Sequence, residues 1–450
     1  MILLLKQRNN PWARFKAWVR DSPPVRNPDL GLISLGIFIL LVGVGAVIPV
    51  RTIYAREHGS TMAELGMMAS GFLLGQFLFQ IPGGWLSDRW GRKPLLIAGI
   101  VASGLVSFLF LANDNPWYFI ALRFIEGAAS GALVPAANAY VIDVVPPKER
   151  GAAFGWIGAA NSAGFMMGPA IGGVVSDWYG YVAPFVFGGI ASLATAALLM
   201  AKMSNTKPGG RTAEDDEAGD KEREADSRSD RAVPHALFWH ALIGILVIFV
   251  AAGFGDGLFI SIWSIWLNDL HASNSYIGLT FVVFSLPLMV LMPITGKMAD
   301  KRRLLPLIVI PGLLLSLVYF SYAVTTNLLV ILLMGVFEGT LLAVSIPAIG
   351  AFTANLSPDN ARGKLQGVIS TTRTSAGFVS SMLVAILYGE SMAFPFIMLS
   401  ATQISLTLLG GAMLWRVERK TRKLNERERK PVVLEPHAAP ASARVGEAAR

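Results

Sequence analysis

The sequence predicts an all-α membrane protein, with twelve transmembrane helices arranged as two parallel, pseudo-symmetric six-helix bundles. Three observations carry that prediction. Of 450 residues, 53% are hydrophobic and only 15% charged, and the charges cluster so that apolar runs of membrane-crossing length remain. Lys and Arg alternate with those runs in a one-sided way. The chain also matches itself at a single offset of 212 residues.

A basic lead-in occupies residues 1–29. Twelve apolar segments follow, at about 30–50, 65–85, 95–112, 117–142, 152–175, 182–201, 236–267, 276–295, 304–324, 328–352, 365–387 and 393–415. All but four of the 38 Lys and Arg residues fall on one side of these segments. The exceptions are Arg51 and Arg56, assigned to an outside connection, and Arg123 and Arg373, within segments 4 and 11. The basic side is expected to be cytoplasmic, which puts both termini there and the protein in the inner (cytoplasmic) membrane. The bundles are expected at 30–202 and 236–416, joined by a charged linker at 203–235 with nine acids and seven bases between Lys202 and Arg231. That linker reads as disordered. The tail, 417–450, is basic and then Ala/Pro-rich, which suits contact with anionic lipid.

The 212 offset sets Gly84 over Gly296, Asp88 over Asp300, Glu126-Gly127 over Glu338-Gly339 and Pro135 over Pro347. It holds without a gap from residue 66 to residue 155. Parallel six-helix repeats, with a site between them near the bilayer midplane, are one design for alternating access. The sequence excludes much else. There is no Cys, so disulfides and thiolate metal sites are out. There is no phosphate loop, no His-Glu-x-x-His and no acidic metal loop. No cofactor, metal or enzymatic group is therefore expected. The net charge of +8 follows topology rather than pointing to nucleic acid, because the bases are not interleaved with aromatics.

Three motifs carry mechanism. Gly84-Trp-Leu-Ser-Asp88-Arg89-Trp-Gly91-Arg92-Lys93 is a polar turn between segments 2 and 3. Arg123-Phe-Ile-Glu126-Gly127 puts two opposite charges on one face of segment 4. Segment 5 carries Gly155, Gly164, Gly168-Pro169 and Gly172-Gly173, and the four-residue spacing of the middle glycines makes a smooth stripe for close helix packing. Most of that stripe is missing from segment 11. If the glycines served packing alone, the symmetric segment would be expected to keep them.

Together these motifs resemble the major facilitator superfamily, and the segment 5 motif resembles its drug–proton antiporter branch. The second half's turn departs from the pattern, with Arg303 in place of the later Gly, and Glu126 stands where the family usually has Gln. The resemblance implies a gating role for Gly84, Asp88, Arg89, Gly91, Arg92, Lys93 and Asp300. Asp88 would meet the start of helix 11 near Gly363 to Gly367, and Arg92 would bridge to Asp143. It also implies that segments 1, 4, 7 and 10 line the central path.

The intramembrane acids fall on three of those four: Glu126, Asp256 and Glu338. Ionisable groups at membrane depth suggest function. Glu126 has Arg123 one turn away, whereas Glu338 has Gly335 at that position and Asp256 has no local cation. Glu338, with Asp256, is therefore the expected proton site. Glu126 with Arg123 is expected to be structural or to contact a cationic substrate. Asp256 lies in Gly253-Phe-Gly255-Asp-Gly257, a glycine-flanked stretch open to unwinding. Gln76, Gln80, Asn161 and Arg373 complete the expected cavity, with Arg373 facing one of the acids. Trp263 and Trp266 are expected as interface anchors.

The reading is a monomeric, proton-coupled exporter of amphipathic or hydrophobic small molecules, with substrate, protons and membrane lipid as its partners. Two rivals stay open. One is an exporter of a specific metabolite, sugar or lipid-linked compound on the same fold; the other is a membrane sensor that does not transport.

Overall fold

The computed structural model describes residues 22–146, 149–204, 235–299, 304–356 and 362–428. Twelve long helices lie within them. They are α1 (Pro28–Glu57), α2 (Met62–Trp90), α3 (Arg92–Leu109), α4 (Pro116–Val144), α5 (Arg150–Tyr179) and α6 (Val182–Lys202) in the first half. The second half has α7 (His235–Ser261), α8 (Asn274–Ala299), α9 (Leu304–Val324), α10 (Leu328–Leu356), α11 (Arg362–Glu390) and α12 (Phe394–Glu428). A seven-residue helix, Trp263–Asp269, continues α7. No strand occurs among the described residues. Asp300, the linker residues 205–234 and the end of the tail, 429–450, lie outside them.

Helix starts are written in the sequence. Asn27 accepts from the amides of Asp29 and Leu30, with Pro28 at the first helical position, where its missing N–H costs nothing. Asn115 accepts from the amide of Trp117 at 2.9 Å, and its repeat partner Asn327 accepts from that of Leu329 at 2.9 Å. Thr61 and Glu64 form a reciprocal capping box at the start of α2. Gly91, at φ +95°, makes the reversal from α2 to α3.

Ten of the helices are long and apolar enough to cross a membrane. The other two long helices are α5 and α11, which carry more Gly, Ser and Thr. Both lie between the halves, α5 against α8 and α11 against α2. Within each half the pairings repeat: α1 packs on α5 and α6, and α7 on α11 and α12; α2 packs on α4, and α8 on α10.

The glycine stripe has a packing role, and the second half meets the same need differently. A Cβ on Gly168 would sit 2.8 Å from the Gly45 Cα of α1, and one on Gly172 would overlap the Ala46 carbonyl. At the equivalent crossing of α7 and α11, Gly257 keeps the place of Gly45, and Gly253 faces Ala376 where Leu41 faces Gly164. A Cβ on Gly253 would lie 2.7 Å from that of Ala376, and one on Gly257 would lie 2.6 Å from the Gly377 carbonyl oxygen. The close approach is kept while the small residue changes helix, so the loss of glycines from segment 11 does not imply that packing was dispensable there. It also explains why α7 runs unbroken through Gly255-Asp256-Gly257 and breaks only at Ile262. The expected unwinding is absent because these glycines serve a helix crossing.

The halves meet at one end and part at the other. One apolar core, including Ile53 and Leu65 of the first half and Ile262 and Val384 of the second, joins both halves at the end away from residues 28, 90 and 144. At the basic end each half has a separate core. The joined end is pinned by polar contacts. The carboxylate of Asp177, at the end of α5, accepts from the amides of Asn274 and Ser275 at 3.0 and 2.8 Å. Arg56 pairs with Asp269 at 2.7 Å, and the Tyr388 hydroxyl donates to the same carboxylate at 2.7 Å. The Ser70 and Ser381 hydroxyls meet at 2.7 Å.

Two outcomes check this account. Leucine at Gly172 or Gly257 should lower the melting temperature of the purified protein, since overpacking a close crossing costs about 1–3 kcal/mol or more. Gly155→Leu should not, because nothing lies within 4 Å of a Cβ there; equal loss at all three positions would remove the crossing argument. Asp177→Asn weakens a charge-assisted contact to a helix start, so the distance between spin labels at the adjoining ends of α5 and α8 should lengthen or broaden. An unchanged distribution would mean that the clamp does not hold this end.

Candidate functional site

Because the halves part at the basic end, a cavity of about 1290 Å³ lies between them. It reaches from Ile37, Ala137, Thr353 and Gln366 near the basic end to Thr52, Trp263 and Tyr322 near the joined end. Its walls are mostly apolar, and its ionisable side chains fall into three groups.

The first surrounds Glu126 on α4. Arg123 donates to one carboxylate oxygen at 2.7 Å, and Arg51 of α1 donates to the other at 3.1 Å. Arg51 is 8% exposed and Arg123 5%. The guanidinium of Arg123 also lies 4.1 Å from the centroid of the Phe72 ring, a favourable cation–π distance. Arg51 was assigned from sequence to an outside connection, and the structure corrects that. Helix α1 continues through Pro49 to Glu57, and carries Arg51 into the protein as a second cation on Glu126.

The second group is Asp256 of α7 with Arg373 of α11. The contact is bidentate, at 2.6 and 2.9 Å, the geometry that suits a guanidinium and a carboxylate best. In the sequence Asp256 has no local cation, and which acid Arg373 faces is left open; the structure answers with Asp256. The crossing at Gly253 and Gly257 brings α11, and with it Arg373, against this carboxylate.

The third is Glu338 of α10, 1% exposed. One of its oxygens accepts from the Tyr322 hydroxyl at 3.0 Å, and the Tyr319 hydroxyl also faces this carboxyl. No cation pairs with it among the described residues. The 212 offset shows how the halves diverged. Arg51, Arg123 and Phe110 stand around Glu126, and their counterparts near Glu338 are Trp263, Gly335 and Tyr322. Two cations have become an indole and a hydrogen, and a phenyl ring has gained a hydroxyl.

Trp263 and Trp266 are likewise corrected. They are 4% and 2% exposed, packed edge-on or tilted among Tyr322 and Phe396 rather than set at an interface. Trp263 lines the cavity and donates its indole N–H to Thr280 at 3.0 Å. The 212 offset pairs Trp263 with Arg51, whose own place in the cavity becomes visible only in the structure.

Of the remaining expected residues, Gln76 and Asn161 line the cavity. Gln76 reaches Ser130 at 3.4 Å, and Gln80 reaches across the halves to Ser370 at 3.5 Å. At the basic end Arg92 sits between two acids, donating to Asp143 at 3.2 Å and pairing with Asp88. The Asp88 side chain is 67% exposed and makes no contact with the start of α11 among the described residues. Arg89 lies over the Trp85 ring, and Lys93 donates to the Met203 carbonyl. A Cβ on Gly84 would meet open space. Gly164 and Gly173 sit at crossings, against α1 and against Asn274 of α8 respectively.

Comparison with known proteins agrees with this architecture. Multidrug resistance protein 2 of Bacillus subtilis (strain 168) is 26% identical over 397 residues, 84% of this chain and 93% of that protein. The quinolone resistance protein NorA of Staphylococcus aureus (strain Mu50) is 25% identical over 246 residues, 54% of this chain and 59% of that protein. Among solved structures, a bacterial homolog of the human lysosomal transporter Spinster superposes with a TM-score of 0.68 at 16% identity, covering 88% of this chain and 98% of that one. The D-xylose-proton symporter gives 0.67 at 17% identity, over 85% and 97%. The sequence profile of the Major Facilitator Superfamily matches residues 33–253 and 245–446. With that extent of match, the twelve helices and the cavity between the halves, the chain belongs to the Major Facilitator Superfamily, a family of transporters rather than enzymes.

Proposed function

We propose that the protein is a proton-coupled exporter of amphipathic or hydrophobic small molecules, of multidrug type, working as a monomer in the inner (cytoplasmic) membrane by alternating access. The observation that carries the coupling is the inequality of its three cavity acids. Protonating Glu126 or Asp256 breaks an ion pair, whereas protonating Glu338 breaks none. A carboxyl that cycles between charged and neutral must do so without dismantling the protein around it, so Glu338 is the proton site. Asp256 acts with Arg373 as a switchable pair on the opposing wall. The two relatives above, a multidrug resistance protein and a quinolone resistance protein, support the substrate class.

In this reading the basic end is cytoplasmic and the structure is the inward-facing state. Substrate enters from the cytoplasm or the inner leaflet and occupies the apolar walls. When the far end opens, substrate leaves and Glu338 takes up a proton, which it releases after the return. Asp88 is free of α11 here because the basic ends are apart. In the outward-facing state it meets the amides at the start of α11, as Asp177 now meets those of α8.

Reconstituted protein in liposomes with an imposed pH gradient tests the coupling. Glu338→Gln should abolish gradient-driven uptake of a lipophilic dye into inside-out vesicles while dye binding and gradient-independent exchange persist. Glu126→Gln should leave the coupling in place. If Glu126→Gln alone uncouples transport, the assignment of the proton site is wrong.

A further inference from the structure

We propose that Arg51 and Arg123 form a docking subsite for an anionic group on the substrate, so that the transported class includes amphipathic carboxylates. The inference rests on the transport reading above and adds the substrate chemistry.

Two guanidinium groups share one carboxylate. Arg51 and Arg123 each take a different oxygen of Glu126, so neither has the bidentate partner that Arg373 has in Asp256. A guanidinium carries five N–H donors. The Nε of Arg51 and that of Arg123 are both buried without an acceptor. Rings of Phe110 and Phe72 lie under the two cations, at 5.8 and 4.1 Å to the centroids. These contacts soften the cost of burial but leave the charge in place. One unit of positive charge remains over, at membrane depth, on two side chains that line the cavity.

The other cavity-lining acids do not cancel it. Asp256 is committed to Arg373, and Glu338 sits in the other half beside Trp263 and Tyr322. A surplus buried cation with unused donors is costly unless an anion supplies acceptors. A carboxylate does so with two oxygens in a plane, the shape a guanidinium recognises. The same surplus argues against the contact with a cationic substrate that sequence suggested for Glu126 and Arg123. A cationic group is better placed at Glu338 among its aromatic rings, so a molecule bearing both charges spans the two halves. Its anionic end is then held independently of the proton site.

A matched pair of probes tests this: a dansyl-labelled alkyl carboxylate and its methyl ester, titrated at neutral pH against the full chain in nanodiscs, first at low salt and then with added sodium chloride. The acid should bind roughly tenfold or more tightly than the ester, the range expected for hydrogen bonds to a charged group. Arg51→Gln should bring that ratio close to one. Glu126→Gln, which frees both guanidiniums, should raise it; this opposite sign is not expected of a merely structural cluster. The Glu126 variant also keeps the test decisive if Arg51→Gln does not fold. Equal binding of acid and ester by the wild-type protein overturns the proposal. So does a ratio that persists unchanged in folded Arg51→Gln. Chloride that binds while acid and ester remain equal overturns it too, in favour of a plain ion site. Gradient-driven export of a neutral dye with no acid preference would sink the subsite and leave the transport reading standing. Acid preference without gradient-driven export of any probe would support the subsite and sink the transport reading.

Discussion

A charge buried at membrane depth has no water to turn to, and the rest of this cavity follows from how each such charge is met. Even by the mildest measure, one Arg or Asp at the centre of a spanning helix costs roughly 2.5–3.5 kcal/mol. The protein keeps six such groups facing one cavity: Arg51, Arg123, Glu126, Asp256, Arg373 and Glu338. They are not six independent expenses. Arg373 and Asp256 close a bidentate pair, and Glu126 stands between two cations. Glu338 is left with tyrosine hydroxyls, those of Tyr322 and Tyr319, and no paired cation among the described residues. The three acids occupy one cavity, yet differ in what a proton would disrupt at each. The surplus cation in one half and the cation-free acid in the other are products of the same divergence.

That divergence runs on a backbone the two halves hold in common. The crossing of α1 with α5 matches that of α7 with α11, although Leu41 and Gly164 in one become Gly253 and Ala376 in the other. Small residues let the backbones approach, and the glycine can sit on either helix. The contacts between halves repeat in the same way, with Gly173 and Gly278 at one and Ala385 and Gly66 at the other. Geometry is duplicated while side-chain chemistry differs, and the difference gives a symmetric scaffold an asymmetric cavity.

The fold was largely legible because the signals that specify it are local or periodic. Apolar length, the one-sided Lys and Arg distribution and the 212 offset need no knowledge of three-dimensional contacts. The cavity acids were legible for the same reason, as rare charges inside apolar runs. Their partners were not. Arg51 was misplaced because Pro49 and a basic residue together look like the end of a span, whereas α1 runs past both. The pairing of Arg373 with Asp256 depends on how closely α7 and α11 cross, which follows from which helix carries the small residue. Trp263 and Trp266 looked like interfacial anchors from composition alone. Their burial comes from the short helix Trp263–Asp269 folding against the core at the joined end.

The joined end also bears on reversibility. Rocking between two states demands that neither be too deep, and polar clamps made of the same parts at both ends would help meet that demand. At the joined end a carboxylate, Asp177, meets the first amides of α8. The equivalent helix start, that of α2, needs no partner from the other half because Thr61 and Glu64 cap it from within. One helix-start clamp is therefore enough to mark this state, supported by Arg56, Asp269 and Tyr388. At the basic end Asp88 is solvent-exposed and shares Arg92 with Asp143. In the proposed cycle the protein gives up one carboxylate–amide clamp as it gains another of like chemistry. The clamps then set a small difference between states, and substrate and proton binding in the cavity decide its sign.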